Sequence, residues 1–461
     1  MQAPFDIAAD LDTPVSAYLK LRDLKPRFLL ESVEGGERLA RYSFLGFGDA
    51  LEVRMDSDRL RVNGNAWPRP ETRQGYLDAL RAALAAAPRP QPDVAGLPFS
   101  GGLVGVSGYD VVRLFERLPR DTEPQTNVPD AAFVAPVSLL VFDHLTRRVA
   151  ILHAGPETER QDLRREVICR LRGAIPQSNG VVTTSIPAAS LSEAEFTGRV
   201  EACKEYIAAG DIYQIVISVL FRGRSNVAPF EVYRALRLLN PSPYMFFFEF
   251  GDLKVVGSSP EALVRLHDNT ASLRPIAGTL PRGETPDEDR QNEQALLADP
   301  KEAAEHVMLV DLARNDLGRV AVPGSVHVDP YRAIERYSHV MHIVSGVQGE
   351  LADSFDQFDL FAASFPAGTL VGAPKVRAMQ IIEEMEQIGR GLYAGTAGYF
   401  GLSGDMDQAI TIRTLVFSGN EYSFQAGAGI VADSVPASEY REVLAKSAIL
   451  RRALEIAGEG L

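Results

Sequence analysis

The stretch Tyr244-Met245-Phe246-Phe247-Phe248-Glu249-Phe250-Gly251-Asp252-Leu253-Lys254-Val255-Val256-Gly257 decides the fold class. Two runs rich in aromatic and β-branched residues flank Gly251-Asp252, a connection long enough only for a tight turn, so they read as neighbouring antiparallel strands. The same arrangement recurs around Gly401 to Asp405, between the runs Gly395 to Phe400 and Gln408 to Thr414. Further strands are expected at Arg27 to Ser32, Ala40 to Gly46, Leu51 to Met55, Leu103 to Val106, Ala132 to Phe142, Val149 to His153, Ile212 to Phe221, Ala271 to Leu273 and Glu421 to Gln425. Helices are expected near Pro229 to Leu239, Asp287 to Ala298, Lys301 to Asp316, Phe355 to Ala362, Lys375 to Glu386 and Ser438 to Ala457. Strands and helices do not alternate as crossover units would. The expected class is therefore α+β, with large, mostly antiparallel β-sheets packed against flanking helices around a two-layer, sandwich-like core.

At 461 residues the chain has room for two or three cores. Proline-rich segments at Pro88 to Pro92 and Pro119 to Pro129 read as surface loops. The polar stretch Ala174 to Ser190 is the better boundary, because Ser192 just beyond it can cap a helix running to about Ala209. The division is placed near Ser185, separating residues 1–185 from 186–461. Lys and Arg number 47 against 61 Asp and Glu, and the net charge of −14 has the wrong sign for a nucleic-acid partner. Cys169 and Cys203, the two cysteines, exclude a disulfide framework and suit a reducing cytosol. Met1 to Asp10 has no secretory pattern, and the longest apolar runs fall far short of the ~20 residues that cross a bilayer. A cytoplasmic protein without a membrane partner is expected.

Glu305 carries the first chemical signal. Helical spacing puts it on one face with Met308, Leu309 and Leu312, so its carboxylate is expected to face inward and to be protonated, paired or bound to a cation. An ion pair with an arginine elsewhere satisfies it as well as a metal does. Glu439, Glu442 and Lys446 share a face at i, i+3 and i+7, which by itself is an ordinary solvated arrangement. The preceding Gln425-Ala426-Gly427-Ala428-Gly429-Ile430 ends a strand in small residues that admit an anion close to the backbone, although a bulge uses glycines in the same way. Phe365 to Lys375 has the wrong spacing for a Walker A loop, and His339 and His342 lack the spacing of a zinc protease helix.

Taken in order, Arg274-Pro275-Ile276-Ala277-Gly278-Thr279, the helix from Glu305 to Asp316, Ser338 to Ser345, Gly368-Thr369-Leu370 with Gly372 to Lys375, Tyr393-Ala394-Gly395, Ile412-Arg413-Thr414 and the tail from Ala426 to Lys446 resemble the chorismate-utilising enzymes. The resemblance spans about Glu193 to Lys446 and is nearest to the branch that forms anthranilate. It implies an Mg²⁺-dependent lyase whose metal is held by Glu305 and Glu442, with Glu439 beside them. By the same resemblance substrate is expected to be held by Gln214, Ala277, Gly278, Thr279, Tyr393, Arg413, Ala426, Gly427, Ala428, Gly429 and Lys446, with Thr369 both binding and catalytic. The chemistry implied is attack of ammonia at C2 of chorismate, loss of the C4 hydroxyl with Glu261 as acid, and elimination of pyruvate with His342 moving a proton; His339 is then structural. Water-adding relatives carry a lysine at the position of Gln214, and many aminodeoxychorismate-forming relatives carry one at Ala277. Val371 departs from the Ser or Thr of the family and removes a hydroxyl from its loop.

No Gly-x-Cys-x-Gly nucleophile occurs, and Cys203 reads as core, so ammonia is expected from elsewhere; the resemblance implies a separate glutamine amidotransferase subunit as its source. Glu31, Ser32 and Arg41 resemble the family's tryptophan-binding segment, completed by Pro243, Tyr244 and Met245, and imply feedback inhibition through residues 1–185. The alternatives are an aminodeoxychorismate-forming enzyme and a non-catalytic tryptophan-binding regulator.

Overall fold

The structure, a computed structural model, describes residues 4–33, 41–176, 182–336 and 340–461. Ala40, Ser338 and His339, which figure in the expectations above, lie outside these residues. The decisive hairpin forms as read: Tyr244–Phe250 pairs antiparallel with Leu253–Ser259, Phe247 opposite Val256. Gly257 has to be glycine there, because a Cβ would fall 2.1 Å from the ring of Phe246, its partner across the pair.

From this hairpin one antiparallel sheet extends both ways. On one side Leu253–Ser259 pairs with Thr414–Ser418, which pairs with Glu421–Ile430, which pairs with Gln214–Arg224. On the other side Tyr244–Phe250 pairs with Pro26–Glu31, which pairs with Tyr42–Met55 and through it with Ala131–Asp143. The long strand Ala131–Asp143 then passes the sheet to Gly102–Ser107, Thr396–Gly401, Met406–Ile410 and Ala262–His267. Strands from before residue 185 thus pair with strands from after it at two places. Among the described residues the sheet has 21 strands, with a separate three-stranded sheet of Ile276–Pro281, Val340–Val344 and Ala333–Arg336.

The sheet folds back on itself, and Phe28, Phe44, Phe99, Val104, Val141, Phe246, Phe248, Val255 and Tyr399 pack between its two arms. Helices cover the outer faces over a larger core. Ser192 caps the helix Glu193–Ala208 with a capping box to Glu195, as its spacing predicts, and Cys203 on that helix is buried with its thiol pushed up to about 12. Asp299 caps Pro300–Gly318 through the backbone N–H groups of Lys301 and Glu302. Among the described residues no helix is long and apolar enough to cross a membrane.

One expected strand is broken. Gln408 to Thr414 reads as continuous, yet the strand ends at Ile410 and a new one starts at Thr414, because Arg413 has φ 49°, in the left-handed region. The Ser258 N–H donates to the Arg413 carbonyl at 3.2 Å and the Thr414 hydroxyl to the Ile412 carbonyl at 2.9 Å, which stabilises the kink. Phe365 to Lys375 becomes a short helix, Gly368–Val371, and the start of Lys375–Met385, and Lys375 spends its ammonium on Asp316 at 2.9 Å.

Behind that segment lies a buried ion pair. Arg390, 1% exposed, donates twice to Glu386 (3.0 and 2.8 Å), once to the Leu370 carbonyl and once to the Val216 carbonyl, both at 2.7 Å. Glu386 also accepts from the Ser218 N–H and hydroxyl. Removing one partner of such a pair leaves a buried charge uncompensated, so Arg390→Met should lower the unfolding free energy by about 3–5 kcal/mol. Urea denaturation measures this, and adding Glu386→Leu should recover part of the loss. A loss under about 1 kcal/mol in the single variant would show that the pair is solvated.

Candidate active site

A cavity of about 390 Å³ opens over the end of the sheet that carries Gln214–Arg224 and Glu421–Ile430. Strand alternation sorts its floor: Gln425, Gly427 and Gly429 line the cavity with Ala426 at its edge, while the methyl of Ala428 is fully buried in the core. The first glycine is a steric necessity, and the second keeps room for a neighbouring amide. A Cβ on Gly427 would lie 2.7 Å from the Tyr393 hydroxyl and 2.9 Å from the Ile217 carbonyl oxygen, and one on Gly429 would lie 3.0 Å from Gln214 Nε2.

Glu261 projects from the bend between Leu253–Ser259 and Ala262–His267, where its carbonyl accepts the Ile410 N–H at 3.0 Å. Its carboxyl accepts the Thr369 hydroxyl at 3.0 Å. Burial raises its pKa to about 7, although the Thr369 hydrogen bond and the charges of Arg413 and Lys446 pull the other way. Arg413 reaches the cavity from its kink and donates to Asn240 Oδ1 at 3.5 Å. Tyr393 completes this wall beside Thr369 and Leu370.

Two helices supply the opposite wall. Pro300–Gly318 contributes Glu302 and Glu305 from its first turns, and the Gln214 amide donates to Glu305 Oε1 at 3.4 Å. Burial and the adjacent Glu305 carboxylate raise the pKa of Glu302. Pro436–Glu459 contributes Glu439, Glu442 and Lys446, and Lys446 donates to the Gly427 carbonyl at 3.1 Å and pairs with Glu442 at 2.6 Å. The interior-facing Glu305 is therefore half-buried at a cavity edge, where it shares the space with Glu442.

Four carboxylates on two helices offer a hard, all-oxygen donor set of the kind Mg²⁺ prefers. Among the described residues, the group of His, Asp or Glu whose ligand atoms already lie within 4.8 Å of one another is His267, Asp268 and Asp405, at the surface away from this cavity.

Ala277, Gly278, Thr279 and His342 are not in the cavity lining. They sit together on the three-stranded sheet, where His342 Nδ1 is 3.0 Å from the Thr279 hydroxyl and 3.1 Å from the Gly278 carbonyl oxygen. That sheet adjoins the site behind Glu302, whose carboxylate oxygen is 3.0 Å from where a Gly278 Cβ would stand.

Glu31, Ser32, Arg41, Pro243, Tyr244 and Met245 all line a second cavity of about 290 Å³ between the arms of the sheet. Glu31 is buried there, accepting from the Tyr233 hydroxyl and from Arg237 at 3.1 Å, and Arg41 forks onto Asp143 at 3.2 and 3.1 Å. Beneath the cavity Arg265, Tyr244 and Asp407 interlock, and Tyr399 closes the wall. Sequence reasoning missed Glu302, Lys301, Gln425 and Ser434 in the first cavity and Arg265, Tyr399 and Asp407 in the second. Glu302 was within reach, since it lies one helical turn before Glu305.

The profile of the chorismate binding enzyme family matches residues 25–452. The chain is 44% identical to anthranilate synthase component 1 of Aquifex aeolicus, with 98% of this chain and 94% of that protein covered. It is 45% identical to the protein of the same name from Pseudomonas aeruginosa, with 99% and 96% covered. The crystal structure of anthranilate synthase component I from Streptococcus pneumoniae superposes with a TM-score of 0.80 at 34% identity, covering 98% of this chain and all of that one. The menaquinone-specific isochorismate synthase of Escherichia coli shares the fold at a TM-score of 0.69 and 21% identity, over 95% of this chain and 91% of that one. With a cavity that gathers glutamates, cations and glycines from the very segments first read as family motifs, the chain belongs to the chorismate binding enzymes, among the anthranilate synthase component 1 proteins.

Proposed function

We propose that this chain is an Mg²⁺-dependent lyase that converts chorismate and ammonia to anthranilate and pyruvate in tryptophan biosynthesis in the cytoplasm. On this reading ammonia comes from a glutamine amidotransferase subunit, residues 186–461 carry catalysis, and residues 1–185 contribute to a tryptophan site that inhibits it. The observation that carries the reading is Glu261: a carboxyl with a pKa of about 7, hydrogen-bonded to Thr369, at the wall of a cavity lined on its other side by glutamates.

The reaction requires such a group. As ammonia bonds to C2, the C4–O bond breaks, and hydroxide leaves poorly unless protonated. Burial keeps Glu261 available in its acid form near neutral pH. Because the Thr369 hydroxyl occupies one carboxyl oxygen, the acidic proton resides on the other, from which it passes to the departing oxygen to release water. Arg413 and Lys446 offer positive charge to the substrate's carboxylates, and Gly427 and Gly429 leave the floor open to a ring. A divalent cation held by Glu305 and Glu442, with Glu439 beside them, supplies the charge that admits a substrate carboxylate among glutamates. On this reading His342, whose Nδ1 lies against the Thr279 hydroxyl and the Gly278 carbonyl, moves the proton of pyruvate elimination. The neutral Gln214 amide and the inert Ala277 methyl favour ammonia over water and over a lysine adduct.

The second cavity supports the regulatory reading, since it combines aromatic walls, Phe44 and Tyr399, with the charged pairs a zwitterionic indole amino acid needs.

Purified protein given chorismate, Mg²⁺ and ammonium should yield a fluorescent 2-aminobenzoate and pyruvate, identified by mass. A 4-amino product without pyruvate would instead establish the aminodeoxychorismate reading, and absence of turnover the regulator. Glu305→Gln should lower kcat/KM on the order of 10³-fold, matching several kcal/mol of lost charge stabilisation, with an unchanged circular dichroism spectrum. Near-normal rates in that variant would remove the metal from the reading. The acid form of Glu261 is lost as pH rises, so kcat should decline above about pH 7. Glu261→Gln should cost about 10²–10⁴-fold in kcat and abolish that alkaline limb. A limb that persists in the variant belongs to another group.

A further inference from the structure

Arg413 is held at both ends by one polar cluster. Its carbonyl accepts the Ser258 N–H at 3.2 Å, and its guanidinium donates to Asn240 Oδ1 at 3.5 Å. Asn240 in turn donates through Nδ2 to the hydroxyl oxygens of Ser258 at 2.9 Å and Ser242 at 3.3 Å, and its carbonyl accepts the Ser258 hydroxyl. Both serines are buried, their Oγ atoms 2.8 Å apart. Asn240 closes the helix Pro229–Leu239, and its N–H donates to the Leu236 carbonyl at 2.8 Å, so its backbone is tied to regular structure. Asn240 lines neither cavity.

This arrangement fixes which way the amide faces. The Ser258 hydroxyl has one proton, which goes to the Asn240 carbonyl, so its oxygen is free to accept and takes Nδ2. Oδ1 is then the acceptor that meets Arg413; with the amide reversed, N–H donors would confront the guanidinium. An amide also accepts without cancelling charge. A carboxylate in its place would neutralise the guanidinium, whereas Asn240 leaves the charge to act on a substrate carboxylate and on Glu261, whose pKa it lowers. The hold answers a specific need, because Arg413 stands on a left-handed bend at the cavity rim, where a long side chain left unanchored would spread over many rotamers and have to be ordered on binding.

Resting on the catalytic reading above, we propose that Asn240 is a positioning residue for the reaction, its Oδ1 aiming the Arg413 guanidinium at a carboxylate of the substrate. The effect falls on KM more than on kcat, since that carboxylate keeps its charge from the bound substrate to the transition state.

Steady-state kinetics with chorismate, Mg²⁺ and ammonium test this in the wild type, Asn240→Ser, Arg413→Met and the double variant. Asn240→Ser keeps a hydroxyl for the serine pair and withdraws the acceptor from Arg413. It should raise KM about fivefold or more and change kcat less than about twofold. In the Arg413→Met background the same substitution should change KM less than about twofold, because the group it acts through is gone. A partly unfolded variant loses kcat in both backgrounds and not KM, so the comparison of KM values stays readable. Equal rises in KM in the two backgrounds overturn the proposal and make Asn240 a support of the helix end only, and so does an unchanged KM in the single variant. The wild type tests the parent reading separately: without anthranilate the catalytic assignment falls, whereas anthranilate formed with equal rises removes the role of Asn240 alone.

Discussion

One guanidinium organises the wall of the larger cavity. Arg390 is flanked by the rings of Tyr109 and Tyr393, 5.0 and 5.6 Å from their centroids, and directs every hydrogen bond it makes at Glu386 or at the carbonyls of Leu370 and Val216. Glu386 in turn holds Ser218, whose hydroxyl accepts from the Gln425 amide at 2.8 Å. Val216, Leu370, Tyr393 and Gln425 all line the cavity, so four lining residues from three parts of the chain are referred to a single charged pair. A planar fork makes all four of these bonds in one fixed geometry, whereas an ammonium has three donors and an apolar side chain none. An apolar replacement of both partners could equal the pair in stability, yet would leave the Leu370 and Val216 carbonyls without their donor.

With that wall in place, charge balance governs what the cavity accepts. Glu261, Glu302, Glu305, Glu439 and Glu442 outnumber Lys301, Arg413 and Lys446. An anionic substrate is repelled unless negative charge is removed or positive charge is added. Both routes are present: burial raises the pKa of Glu261 and so favours its neutral form, and the carboxylates of two helices offer oxygen donors to a cation. Lys446 pairs with Glu442, and the neutral Gln214 amide donates a hydrogen bond to Glu305 without cancelling its charge. With the raised carboxyl of Glu261 on one wall and the glutamates of the two helices on the other, the two ways of managing charge do not compete for one group.

Strands and helices were largely legible, because periodicity and turn chemistry act over a few residues. The hairpin at Gly251-Asp252, the cap at Ser192 and the helix Pro229–Leu239 all follow from local rules. Glu305, Glu439, Glu442 and Lys446 could be put on helical faces, but only the resemblance to a family brought them to one cavity. The buried pair of Arg390 and Glu386 was invisible, since an i, i+4 spacing of opposite charges normally marks a solvated helix face. Here both partners sit below the sheet, a fact decided by residues more than 150 positions away such as Val216. The alternation that turns Ala428 to the core while Gly427 and Gly429 face the cavity was within reach of strand logic, whereas the seat of His342 beside Thr279 depends on the register of a separate small sheet.

The broken strand at Arg413 shows why local rules had to fail there. A regular continuation of Met406–Ile410 into Thr414–Ser418 would carry Ile412 and Arg413 along one straight ladder, yet these two strands pair with different neighbours on different arms of the sheet. Changing arms requires a sharp bend, and a left-handed residue supplies it at a cost of about 1–2 kcal/mol for a side chain with a Cβ. Glycine would make the bend without strain but would bring no charge. Arginine accepts the strain because the position at which the sheet changes arms is also the rim of the cavity, and the Ser258 N–H and the Thr414 hydroxyl offset part of the cost. The bend that closes the fold and the cation that faces the cavity are one residue.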